Sequence, residues 1–98
     1  MQVYTAETAE GQETFLEGTE DIYATVSGVG HKDTRDGRCV GFGTITITNK
    51  KTGASQTEKV YTDKDDKHME WHTFEGTLSW RGVRLNSIGG ITVEYKVL

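Results

Sequence analysis

The chain contains no proline and only one cysteine, Cys39. Without proline no turn can rest on a locked φ, so turns fall to Gly, Asn, Asp and Lys, and tight hairpins are favoured. A lone cysteine excludes an intramolecular disulfide and a thiolate metal cluster. Cys39, beside Val40 at a strand start, reads as a small core or sheet residue. Arg38 next to it is the one feature that would favour a reactive thiolate. No apolar run approaches the roughly 18 to 20 residues needed to cross a bilayer. Met1-Gln2-Val3-Tyr4-Thr5 lacks the basic start and apolar core of a signal peptide. With Met1 as the native start, a cytoplasmic protein without membrane association is expected.

Positive charge is missing from residues 1–30, which carry Glu7, Glu10, Glu13, Glu17, Glu20 and Asp21 but no Lys or Arg. The rest of the chain is slightly basic, and the formal net charge is -4. The acidic third reads as a solvated face or as a surface for a basic partner. It would repel nucleic acid. The sequence also lacks a Ser-His-Asp order, a phosphate loop, a dinucleotide fingerprint and paired carboxylates in an apolar context. A non-enzymatic protein without cofactor or bound metal is the expectation.

What is present is β-branched and alternating. Gly43-Thr44-Ile45-Thr46-Ile47-Thr48-Asn49 alternates Thr and Ile as a half-buried strand requires, and stiff β-branched side chains suit a pleated surface. Hydrophobic residues make up 34% and charged residues 27%, enough apolar content for one core and too much for a disordered chain. All 98 residues form one domain.

The pattern places a strand over Asp21 to Gly30 with Ile22, Ala24 and Val26 on one face, loosened by Gly28 and Gly30 as a bulge. Cys39 to Asn49 is the best strand. Its phase shifts, since Val40 and Phe42 face one way and Ile45 and Ile47 the other. Either both faces are covered or a bulge near Gly41 and Gly43 changes the register. Ser55 to Thr62 reads as a polar edge strand, and His68 to Arg81 as one continuous strand. Ile91 to Leu98 is the cleanest alternation, with Ile91, Val93, Tyr95 and Val97 opposite Thr92, Glu94 and Lys96. Val3, Thr5 and Thr14-Phe15-Leu16 are weaker candidates, joined by Glu10-Gly11-Gln12. Turns are expected at Asp36-Gly37, Asn49 to Gly53, Asp63 to Lys67 and Asn86 to Gly90. The fold class is all-β: a single antiparallel meander sheet of six or seven strands, closing into a small barrel or a two-layer sandwich. The last strand must pair within the sheet or with another copy, so a homodimer is one outcome.

Two segments carry a resemblance. Asp36-Gly37-Arg38-Cys39-Val40-Gly41-Phe42-Gly43-Thr44-Ile45-Thr46 resembles the turn-and-strand pattern of calycin-like barrels of the allene oxide cyclase type. Phe74-Glu75-Gly76-Thr77-Leu78 with Ser87-Ile88-Gly89-Gly90 resembles their Gly-rich later strands. The resemblance covers about a third of the chain, and the chain is short for eight strands closed into a barrel. It implies an apolar-ligand cavity or a dimerising barrel, and no catalytic residue.

Among candidate sites, His68-Met69-Glu70-Trp71-His72 draws attention first. On a strand, His68 and His72 share a face about 13 Å apart, too far for one metal. Glu70 with either histidine would need a third group from another strand. Asp63, Asp65 and Asp66 are interrupted by Lys64 and lack the EF-hand spacing, so they read as a charged turn. The cations fall into three groups: Lys32, Arg35 and Arg38; Lys50 and Lys51; Arg81 and Arg84. The first two flank a strand about 36 Å long, which makes one phosphate-tracking groove unexpected. An exposed Trp71 or Tyr61 would anchor a protein partner. Phe42, Phe74, Leu78, Trp80 and Tyr95 would instead line the cavity of an apolar-ligand barrel. The leading expectation is a small protein-interaction module, accessory or inhibitory. The alternatives are an apolar-ligand barrel and a compact enzyme using His68, Glu70 or His72.

Overall fold

The computed structural model describes residues 2–33, 39–62 and 70–98. Eight strands are formed among them: β1 (Tyr4–Ala9), β2 (Thr14–Phe15), β3 (Ile22–Asp33), β4 (Cys39–Asn49), β5 (Ser55–Thr62), β6 (His72–Phe74), β7 (Leu78–Leu85) and β8 (Gly90–Val97). They make two antiparallel four-stranded sheets. Sheet I has the order β1-β8-β7-β6 and sheet II the order β2-β3-β4-β5. The expected all-β fold holds, in its two-layer form. The six or seven strands of one meander are corrected to eight strands in two sheets of four, and no closed barrel forms among the described residues.

The division follows from the inward-facing residues. Ile22, Ala24 and Val26 on β3, with Ile45 and Ile47 on β4, are buried on one face of sheet II. Leu78 and Trp80 on β7, with Ile91, Val93 and Tyr95 on β8, are buried in sheet I. All ten belong to one apolar cluster, so the sheets share a core. Burying one of the Val, Leu or Ile side chains among them contributes roughly 1.5–3 kcal/mol.

The chain leaves sheet I after β1, builds sheet II, and returns for β6 to β8. At the crossing, Glu10 makes an isolated parallel bridge to Val26. Gly11 turns the chain at φ 81°, with the Gln12 N–H donating to the Ala9 carbonyl at 3.1 Å. This confirms a turn at Glu10-Gly11-Gln12.

The phase of β4 has a simple solution. The strand is regular, with Gly41, Gly43, Ile45 and Ile47 inward and Phe42, Thr44, Thr46 and Thr48 outward. The bulge lies in β3, where the register shifts between Ser27 and Gly30 and Gly28 takes φ 61°. A Cβ at Gly43 would stand 2.6 Å from Ile91 Cδ1. Glycine there lets a side chain of the opposite sheet reach the β4 backbone.

The expected strand from His68 to Arg81 is instead a hairpin, described from Glu70 onward. Glu75 and Gly76 both have positive φ, 53° and 66°, which reverses the chain between β6 and β7. Phe74 pairs with Leu78 across the turn, so both apolar residues still face inward. The Glu75 carboxylate accepts from Asn49 Nδ2 at 2.9 Å and from Thr52 Oγ1 at 3.3 Å, tying this turn to the β4–β5 turn. β8 is not an edge. It pairs with β1 on one side and β7 on the other, so the C-terminal strand is satisfied within its own sheet. Thr92, on the face opposite Ile91 and Val93, is only 1% exposed, and its hydroxyl has no hydrogen-bond partner among the described residues. The expected turn at Asp36-Gly37, the turn Asp63 to Lys67, and His68 lie outside the described residues.

Candidate functional site

The sheets meet along one side through side chains rather than a ladder. Gln56 on β5 accepts the Trp80 indole N–H at 3.0 Å and donates its own amide N–H to the Thr73 carbonyl at 3.1 Å. The His72 ring packs at a tilt against Trp80 with centroids 4.9 Å apart, and its Nδ1 lies 4.0 Å from Glu58 Oε2. These contacts place Trp80 and His72 at the corner where the two sheets meet. Glu70 is exposed, and no group of three His, Cys, Asp or Glu is placed to hold a metal among the described residues.

The nominated residues divide sharply. Phe74, Trp80 and Tyr95 are buried in the shared core with Leu78. Tyr95 stacks on Tyr4 at 5.4 Å, and its hydroxyl donates to the Glu17 carbonyl at 2.8 Å. Burial first, then the nearby Glu17 charge, raises the Tyr95 pKa above the ordinary tyrosine value. These side chains fill the interior. Trp71, Tyr61 and Phe42 face outward, on two different sheets.

Trp71 immediately precedes β6. His72 pairs with Trp80, so one more step of register sets Trp71 opposite Arg81 on the outer face of sheet I. Arg81 Cζ lies 4.7 Å from the Trp71 ring centroid and Lys96 Nζ lies 4.1 Å from it. The guanidinium is itself held, since Arg81 Nε and Nη2 donate to Glu94 Oε1 at 3.1 and 2.9 Å across the β7–β8 pair. Such contacts attract a cation to an indole face by roughly 0.5–1 kcal/mol at an exposed site. Trp71 is 36% exposed, an aromatic surface in contact with two cations and partly open to solvent.

The second surface is the outer face of sheet II. Across it Thr25 pairs with Thr46 and Thr46 with Thr57, and the hydroxyls of Thr46 and Thr57 are 3.0 Å apart. At one end Phe15 packs on Tyr23 with centroids 5.4 Å apart. At the other, Phe42 and Tyr61 are cross-strand partners. The Phe42 ring lies over Gly30, where a Cβ would come within 2.7 Å of it. An open groove of about 330 Å³ runs here, lined in part by Gly28, Lys32, Phe42, Thr44, Lys59 and Tyr61.

The acidic third also surfaces. Glu7, Glu10, Glu13, Glu17, Glu20 and Asp21 are all exposed along β1 and the segment leading to β3. Glu10 has a structural task as well, since its Oε1 accepts the Val29 N–H at 2.8 Å beside the β3 bulge.

The residues around Trp71 were only half legible in sequence. An exposed tryptophan was expected, but Arg81 sits ten positions away and Lys96 twenty-five, and only the pairing of β6, β7 and β8 brings them together. The groove likewise needs three strands. The comparisons with known proteins add no relative: no family model, no curated protein and no solved structure matches this chain.

Proposed function

We propose that this protein is a non-enzymatic binding module that captures a protein partner on the outer face of sheet I, with Trp71 as the anchor. The observation that carries this reading is the geometry at Trp71. A large aromatic surface is 36% exposed and contacts both Arg81 and Lys96, and Arg81 is held by Glu94. Interface energy concentrates in a few tryptophan, tyrosine and arginine side chains, and an ordered anchor loses little conformational entropy on binding. Arg81 is neutralised by Glu94, so Lys96 is the cation at the ring that favours an acidic group on the partner. A core filled by Phe74, Trp80 and Tyr95 supports binding at the surface over an apolar ligand held between the sheets.

The test is affinity capture from a lysate of the protein's own host, comparing the wild type with Trp71→Ala and with Phe15→Ser, a change at an exposed aromatic on the other sheet. A protein retained by the wild type and by Phe15→Ser, and lost with Trp71→Ala, is expected. Equal retention by all three would reject Trp71 as the anchor.

A further inference from the structure

The groove on the outer face of sheet II lies on the opposite layer from Trp71 and is independent of that reading. Its floor is aromatic. Phe42 is half-buried and fixed over Gly30, and Tyr61, its partner across the β4–β5 pair, is 44% exposed. Its ends are cationic. Lys32 pairs in register with Val40, one row beyond Phe42, and Lys59 pairs with Thr44, one row before it. Rows on one face repeat every two residues, about 6.6 Å, and neighbouring strands lie about 4.8 Å apart. Lys32 and Lys59 therefore stand diagonally across Phe42, their Cα atoms about 16 Å apart by that spacing. Each lysine side chain is long enough to bring its ammonium back over the aromatic floor. Lys32 and Lys59 are the charged side chains among the described residues that line the groove.

From this geometry we infer that the groove is a binding site for a planar aromatic anion of about mononucleotide size. A flat ring lies on Phe42 and against Tyr61, and its anionic group is met by Lys32 or Lys59. The volume of about 330 Å³ is at the small end of the range for ligand sites, which suits one ring system with one charged substituent and not a larger molecule. Both elements of the site are required. Aromatic stacking contributes roughly 1–3 kcal/mol per base. A single ammonium beside an anion at a solvated site contributes a few kcal/mol at most. Neither half alone yields useful affinity.

The experiment uses the intact chain and three probes: adenosine 5′-monophosphate, adenosine and inorganic phosphate. Binding is read by titration of backbone amide NMR shifts, which also locates the site and reports folding of each variant. Adenosine 5′-monophosphate is expected to move the amides of Phe42, Thr44, Lys59 and Tyr61. Adenosine and phosphate should each bind about tenfold more weakly or worse, the effect of losing about 1.4 kcal/mol. Lys32→Gln and Lys59→Gln should each weaken the mononucleotide about three- to tenfold. Tyr61→Ser should weaken adenosine and the mononucleotide alike. Phe42→Leu keeps an apolar side chain beside Gly30 should a smaller residue there fail to fold. Three results overturn the assignment: no shift changes up to about 10 mM ligand, below useful affinity; equal binding of adenosine and its monophosphate; or shift changes that map outside the groove. Capture of a protein through Trp71 is unaffected by any of them, so the two readings fail separately.

Discussion

The indole N–H of Trp80 donates to Gln56 Oε1 at 3.0 Å, and the same glutamine donates to the Thr73 carbonyl at 3.1 Å. One side chain of sheet II thereby satisfies the one polar atom of the most central aromatic in sheet I, and steadies the short edge strand β6. This contact joins the two layers on the side where no ladder does so among the described residues.

Gln56→Leu is expected to destabilise the fold by roughly 1–3 kcal/mol, because the buried indole N–H loses its acceptor. In thermal unfolding, each kcal/mol should lower the midpoint by about 4–8 °C for a domain of this size. An unchanged midpoint would show that water replaces the glutamine.

Gly43→Ala should cost about 1–3 kcal/mol by overpacking, since its Cβ would press on Ile91 Cδ1 at 2.6 Å. Ile91→Val removes that methyl group. The double variant should be more stable than the sum of the two single changes predicts, a coupling that urea unfolding of all four proteins would measure. Strict additivity would contradict the close approach of the sheets at this point.

Thr92→Val should raise stability by about 1 kcal/mol, because a buried hydroxyl without a partner is replaced by an isosteric methyl. Loss of stability in urea unfolding would reveal a hydrogen bond to that hydroxyl.

Tyr95 carries a pH dependence. Its pKa is raised in the folded state by burial and by Glu17, so folding favours the protonated phenol. The unfolded chain releases that proton first as pH rises through about 10, the ordinary tyrosine value. Stability from this group is complete below that pH and is lost as pH rises toward the folded value. Tyr95→Phe should flatten the alkaline limb of a stability-against-pH curve. Identical alkaline limbs would remove Tyr95 as the cause.

The alternation of Ile45 and Ile47, of Ile22, Ala24 and Val26, and of Ile91, Val93 and Tyr95 made the core strands legible, because strand periodicity is a local property. Sheet membership was not legible. β1 and β8 pair at the two ends of the chain, and nothing within either strand names its partner. The hairpin at Glu75-Gly76 was hidden for a specific reason. Phe74 and Leu78 have the same parity in a continuous strand as they have across the turn, so the hydrophobic pattern does not change. The bulge expected at Gly28 and Gly30 of β3 is there, with Gly28 at positive φ, and the one considered near Gly41 and Gly43 of β4 is not. Trp71 and Tyr61 were legible as exposed aromatics, but Arg81 and Lys96 beside Trp71, and Lys32 near Tyr61, come from other strands. The calycin-like resemblance had only local Gly-rich patterns to stand on, and those patterns recur in many antiparallel hairpins.

The most direct test of partner binding through Trp71 is native mass spectrometry of the protein isolated from its own host, with wild type and Trp71→Ala side by side. The variant should still fold, since it loses two cation–π contacts of roughly 0.5–1 kcal/mol each and no side chain of the shared core. The wild type should retain a macromolecular partner and the variant should appear at its own mass alone. A partner retained equally by both, or a wild type that carries none, would contradict a binding module anchored on Trp71.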